Sequence, residues 1–264
     1  MEGPVWIGDS LYFSEMTSSN MIPPARILKI APGGAVSIVS ADSGSNGLAV
    51  DGSGNLLAAR HKDGSISQIA LPGGAATPLI TSFGSTRFNS PNDLAIRSDG
   101  TIYFSDPMFQ NNANPQKGEH LYRATPAPAR TVSMIMDAPS TPNGVTLSPD
   151  EKTLYVSGNG LKKYTVMSDG SLSAASDFVA GSSGDGMAVD CAGNLFVAGN
   201  MANSVRVYSP AGALLGTIKA SGADTTTNVA FGGIDHTTLY ITGYGTEGQR
   251  GVFSIALSVP GFPY

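Results

Sequence analysis

Cysteine, histidine and charge are all scarce in this chain, and each shortage closes off a class of function. A single cysteine, Cys191, stands among 264 residues, so no internal disulfide can form and no thiolate cluster can hold a metal. It lies in the turn-like Asp190-Cys191-Ala192-Gly193 with no histidine near it in sequence, and reads as a bystander thiol rather than a nucleophile. Histidines number three, and no Gly-x-Ser-x-Gly element accompanies them, which argues against a serine triad. Charged residues make up 13%, against roughly 25% in ordinary soluble domains. The net charge of −5 is the wrong sign for a phosphate backbone, so no nucleic-acid partner is expected. No apolar run reaches the roughly 18 residues of a spanning helix and no basic amphipathic helix occurs, so no membrane partner is expected either.

Glycine (33) and proline (17) take the place of the missing charge. Both break helices and populate turns, which favours many short strands with tight connections. A strand-opening Leu or Ile recurs at Leu11, Leu56, Ile102, Leu154, Leu195 and Leu239, at spacings of 45, 46, 52, 41 and 44 residues. Each opens an apolar stretch such as Ile102-Tyr103-Phe104-Ser105 or Leu154-Tyr155-Val156-Ser157. Another short strand precedes each of them, at 4–7, 48–51, 94–97, 145–148, 187–190 and 229–232, and alternating segments follow. Four antiparallel strands per roughly 45 residues is the unit of a propeller blade. The chain is therefore expected to be all-β, a single six-bladed β-propeller domain over 1–264, with no helix of ordinary length. The last blade offers only three strands, at 229–232, 239–242 and 251–258. The chain opens on Met1-Glu2-Gly3-Pro4, already inside the first repeat, so an upstream strand is expected to complete that blade.

In a propeller the first strand of each blade lines the central axis. The residues that introduce those strands are Glu2, Asn46, Asn92, Asn143, Asp185 and Asn228, each 9 to 11 residues ahead of its marker, and each carrying a side-chain oxygen. Asn-Gly and Asp-Gly are turn dipeptides, which accounts for any one of these positions but not for all of them. Several oxygens converging on one axis call for a cation, and an oxygen-only set without imidazole or thiolate favours Ca2+, with Mg2+, Mn2+ or Zn2+ as other divalent candidates. Second strands return to the same end. They bring Arg60 and His61, Asp106, Met108 and Phe109, Asn200 and Met201, and Tyr244 towards a rim, where with Asn46, Asn92 and Asn228 they are the candidates for contact with a small-molecule substrate. The longest connection, 107–118, is placed to cover that rim.

Glu2-Gly3-Pro4-Val5-Trp6, Asn89-Ser90-Pro91-Asn92-Asp93, Tyr103-Phe104-Ser105-Asp106-Pro107, Pro142-Asn143-Gly144-Val145, Gly184-Asp185-Gly186-Met187 and Thr227-Asn228-Val229-Ala230-Phe231 resemble, in order and over nearly the whole chain, the SMP-30/gluconolactonase/LRE-like family. The family is similar in fold and site to diisopropyl-fluorophosphatase and to calcium-dependent lactonases. The resemblance implies one catalytic divalent metal held at Glu2, Asn143 and Asp185, with Asn92 at a position that binds metal in some members and substrate in others. His61 matches the last residue of a Cys-Glu-His segment of gluconolactonase-type members, and the chain reads Ala59-Arg60-His61 there. Some sugar-lactonase members carry an arginine where this chain has Ser90. The expected activity is metal-assisted opening of a lactone, with Asp185 as general base and His61 orienting substrate or moving a proton. Two alternatives are hydrolysis of phosphotriesters at the same centre, and a non-enzymatic binding propeller stabilised by calcium.

Overall fold

The computed structural model describes residues 1–16, 24–110, 115–136, 138–245 and 250–262. Strand is the only extended regular structure among them. Five sheets have four strands each, and a sixth has three. Blade 1 runs outward from the axis through Glu2–Ile7, Ser10–Met16, Ala25–Ile30 and Val36–Ser40. Blades 2 to 5 repeat the plan from inner strands Ser45–Val50, Leu94–Ile96, Val145–Leu147 and Met187–Val189. Blade 6 consists of Thr225–Gly232, Thr238–Tyr244 and Arg250–Ala256. Each inner strand contacts the next, and that of blade 6 contacts that of blade 1, so the ring closes. The six-bladed propeller expected from the repeats is the fold, and the expected inner strands overlap the observed ones in every blade. The repeats did not announce the small hairpin Ser82–Phe83 with Thr86–Arg87, which sits between blades 2 and 3.

The core is divided into clusters that lie between blades. Side chains alternate across a strand, so neighbours in a blade's second strand face opposite ways. Leu56 and Ala58 pack towards blade 1 beside Tyr12 and Ile27, whereas Leu57 and Ala59 pack towards blade 3 beside Phe88 and Phe104. Both faces are buried, which is why the marker segments read as unbroken apolar runs rather than as alternating ones. Each fully buried Leu, Ile or Phe contributes about 1.5–3 kcal/mol. An aromatic contact joins Phe88, Phe104 and Tyr122, whose ring centroids lie 5.0 to 5.4 Å apart. Between blades 6 and 1, Trp6 stacks on Tyr240 at 5.6 Å. Gly232 makes that seam possible, because a β-carbon there would stand 2.7 Å from the indole.

Candidate active site

Glu2, Asn46, Asn92, Asn143, Asp185 and Asn228 are all buried, at the entrance to the inner strands. Local backbone pairing explains how the chain presents them. In blades 1, 2 and 6 the ladder slips register beside the ring residue, between Glu2 and Val5, Ser45 and Leu48, and Thr226 and Asn228. In blade 4 the Asn143 N–H donates to the Ser157 carbonyl, yet the Ser157 N–H returns one residue further on, to the Gly144 carbonyl. Asn92 with Ser105 and Asp185 with Ala198 repeat that offset in blades 3 and 5. Such irregularities bend a strand and re-aim one side chain. Here the residue re-aimed is the polar one.

The glycines that follow four ring residues are explained by crowding. A turn role would call for the left-handed region, and only Gly3 occupies it, with φ of 50°. A β-carbon on Gly144 would stand 2.3 Å from the Asp185 carbonyl oxygen, and one on Gly47 2.7 Å from that of Asn92. On Gly186 it would lie 1.9 Å from the Asn228 side chain. Glycine lets each ring residue approach its neighbour across the blade boundary, which is a different use of the same dipeptide.

The electrostatics follow from this crowding. Burial raises the carboxyl of Asp185 well above its usual range, and repulsion from Glu2 and Asp93 raises it further. An N–H of the Asn143 side chain donates to Asp185 and partly offsets that rise. Burial likewise raises Glu2, and repulsion from Asp93 adds to the rise. Asp93, one residue ahead of the inner strand expected at 94–97, is a third carboxyl near this pair. Burial pushes it up to about 7 although its oxygens accept the Leu94 N–H at 3.0 Å and the Val145 N–H at 3.1 Å. The inner strands enclose a cavity of about 100 Å³ lined mostly by apolar residues such as Val5, Leu48, Leu94, Val145, Met187 and Val229, with Asp93, Asn228 and His236 also in its wall. The apolar part of that wall keeps the local dielectric low.

Among the described residues, no three His, Cys, Asp or Glu side chains converge into a preformed metal cage. The ring instead pairs the Glu2 and Asp185 carboxylates with amides, an all-oxygen donor set that suits calcium. Their mutual repulsion, in a buried place, is what a divalent cation would relieve. The residues present fit such an ion.

The expected rim residues divide into two groups. Phe109, Asn200, Met201 and Tyr244 are exposed, and Met108 is half-buried. Asn200 and Met201 both hold positive φ, 36° and 64°. The other three are buried: His61 fully, Asp106 fully and Arg60 nearly so. Asp106 was expected on the rim, and the structure corrects this. Its oxygens accept the Asn89 N–H at 2.9 Å and the Ser90 N–H at 2.8 Å, so it fixes the segment leading to Asn92. Arg60 needs the same correction, because its guanidinium donates to the Ser43 carbonyl at 2.6 Å and pairs with Asp63. Asn228 Oδ1 accepts the Val229 N–H at 2.7 Å, whereas Asn46 Nδ2 is buried with no protein partner.

Two anchors of the long connection had no signal in the repeats. Asn89 donates to the Gly118 carbonyl and accepts the Gln116 N–H, and the Glu119 carboxylate accepts the N–H groups of Met108 and Thr141, each at 3.1 Å. Glu119 thereby holds Met108 beside the segment that leads into Asn143. Residues 111–114 of this connection lie outside the described residues.

The SMP-30/Gluconolactonase/LRE-like family signature matches residues 1–244. The chain belongs to that family. The gluconolactonase of Zymomonas mobilis is 29% identical over 269 aligned residues, covering 88% of this chain and 72% of that protein. Among solved structures, a gluconolactonase from Xanthomonas campestris superposes with a TM-score of 0.82 at 29% identity, over 98% of this chain and 86% of the other. The calcium-binding regucalcin of Agrobacterium tumefaciens, 17% identical, matches all of this chain and 91% of its own with a TM-score of 0.76, a likeness of fold.

Proposed function

We propose that this chain is a calcium-dependent hydrolase that opens lactones. One observation carries the reading: Glu2 and Asp185, two buried and mutually repelling carboxyls, meet at the axis with the Asn143 side chain hydrogen-bonded to Asp185. The similarity to gluconolactonases supports the choice of a lactone as the ester. Glu2, Asn143 and Asp185 would hold the ion, with Asn92 as a further oxygen. Bound calcium would polarise the lactone carbonyl and stabilise the charge that develops on its oxygen.

Asp185 is the general base in this reading: with an ion held by the ring, a water approaching the carbonyl carbon would give up a proton to one of the Asp185 oxygens. The Asn143 amide, by donating to Asp185, helps orient its carboxyl. A divalent cation held by Glu2 and Asp185 would keep them ionised at neutral pH, although burial alone would favour their protonated forms. Asn46, whose buried Nδ2 donor has no protein partner, can donate to a substrate oxygen. Met108, Phe109 and Tyr244 supply an apolar margin to the mouth.

Asp185→Asn tests the assignment. The amide cannot accept the proton of water, so kcat on a simple lactone is expected to fall by at least about 100-fold, the usual scale of a lost acid–base group. The metal-free variant should remain folded. Turnover within threefold of wild type would remove Asp185 from the mechanism. A phosphotriester substrate is the competing reading, favoured by the exposed Met201 and Phe109 at the mouth. Parallel rates on γ- and δ-lactones and on an aryl phosphotriester separate the two.

A further inference from the structure

The six ring segments are joined to one another around the axis by hydrogen bonds that cross every blade boundary. Three residues after its Leu/Ile marker, a blade carries a buried hydroxyl (Ser14, Ser105, Ser157, Thr242) or an alanine (Ala59, Ala198). Where serine stands in blades 3 and 4, the hydroxyl is inserted between successive ring residues. Ser157 Oγ accepts the Gly144 N–H at 2.8 Å and donates to the Asp185 carbonyl at 2.6 Å. Ser105 Oγ accepts the Asp93 N–H at 3.1 Å and donates to the Asn143 carbonyl, again at 2.6 Å. Where alanine stands, the link is direct: the Gly47 N–H donates to the Asn92 carbonyl at 2.6 Å, and the Gly186 N–H to the Thr227 carbonyl at 2.8 Å. The other two boundaries are crossed by Ser14 with Ser45 at 2.7 Å and by Thr227 Oγ1 donating to the Met1 carbonyl at 2.6 Å.

We propose that Ser105 and Ser157 are positioning residues for the metal centre, each setting by one hydroxyl the backbone of the ring residue on the next blade, Asn143 and Asp185 respectively. This rests on the calcium-lactonase reading of the ring. The two serines contact the main chain of the groups that would bind the ion and not their donor oxygens. Removing a hydroxyl leaves a buried carbonyl and a buried N–H without their shared partner, and the ring segment shifts to find another. Outer groups of this kind set ligand orientation, and their loss costs about 10- to 100-fold in metal affinity or activity.

The test uses the whole chain, with Ser157→Ala, Ser105→Ala and Ser157→Thr beside wild type. Calcium affinity is read by titration calorimetry, kcat and KM on a simple lactone, and the melting temperature in metal-free buffer. The expected result for Ser157→Ala is calcium binding weaker by about 10-fold or more and kcat reduced by a similar factor, with KM within twofold. Ser157→Thr keeps the hydroxyl, as Thr242 does at the equivalent place in blade 6, and should restore both to within threefold. Ser105→Ala should weaken calcium binding as well. Calcium affinity and kcat within twofold of wild type in both alanine variants, whatever happens to the melting temperature, would overturn the proposal. Equal losses in Ser157→Thr and Ser157→Ala would do the same. Wild-type protein that neither binds calcium nor opens a lactone overturns the reading of the ring itself, and with it this inference, before any substitution is made.

Discussion

Asp106 offers a quantitative test of how the carboxyls in this propeller are used. It is fully buried and holds two backbone N–H groups, and burial pushes its carboxyl up to about 7 from the usual 3.8, against the pull of those two N–H groups and of Arg87. Between those values the folded protein holds a proton that the unfolded chain has released. Folding stability therefore falls as pH rises through this window, and the loss is complete once pH exceeds the folded value. From pH 5 to pH 7 the contribution of Asp106 alone is a loss of about 2 kcal/mol, from the linkage relation of 1.36 kcal/mol per unit tapering near the folded value.

Other buried carboxyls titrate in the same range, so the wild-type profile by itself does not isolate this one. Asp106→Asn does. The amide can accept one of the two N–H groups and turns its own NH2 towards the other, a mismatch of roughly 1–3 kcal/mol that does not depend on pH. Urea unfolding of wild type and variant in saturating calcium, at half-unit steps from pH 5 to 7, gives the difference between them at each pH. That difference should shrink by about 2 kcal/mol across the range in favour of the variant. A difference constant to within about 0.5 kcal/mol, or one that moves the other way, would refute the account of Asp106 as a buried anchor with a raised carboxyl.

Three further substitutions probe the packing behind the ring. Gly144→Ala drives a β-carbon to 2.3 Å from the Asp185 carbonyl, backbone against backbone, so a loss of about 1–3 kcal/mol in stability and of most calcium binding is expected, read by urea unfolding and calorimetry. Phe104→Ala empties the aromatic contact between blades 2 and 3 and should cost about 3–5 kcal/mol in the same unfolding experiment while leaving calcium affinity within threefold. Glu119→Gln keeps one acceptor for the N–H groups of Met108 and Thr141 and loses the other, so KM for a lactone should rise by about 3- to 10-fold with little change in melting temperature. An unchanged KM would show that this anchor does not shape the mouth.

The fold was legible because it is repetitive. One apolar four-residue segment recurring every 41 to 52 residues placed every inner strand, and the three strands read for the last blade are the three found among the described residues. The six buried ring positions were legible for the same reason, since equivalent positions in a closed ring must meet at its axis. What periodicity missed is what it could not encode. Asp93 lies between Asn92 and the strand expected at 94–97 and carried no repeat signal, yet the offset in pairing at that point carries it towards the axial group. Asp106 and Arg60 end their second strands at the rim end of the sheet, but both are turned inward to backbone groups that would otherwise be buried without partners. Asn-Gly and Asp-Gly resemble turns in sequence, whereas Gly47, Gly144 and Gly186 are there because the next blade's backbone or side chain is too close for a β-carbon. Contacts across the boundaries between blades 3, 4 and 5 join residues 28 to 52 positions apart, as in Ser157 with Asp185 and Asp93 with Val145, and the closing boundary joins Thr227 to Met1, 226 positions away; no local pattern announces them.

The most direct test of the account is lactone hydrolysis by protein stripped of divalent cations, assayed before and after calcium, magnesium, manganese and zinc are restored in turn. Turnover of simple γ- and δ-lactones is expected to disappear on stripping and to return with calcium, and Asp185→Asn to stay inactive whichever ion is added. Full lactone turnover in the stripped protein, or cleavage of an aryl phosphotriester with no lactone opened under any ion, would contradict it.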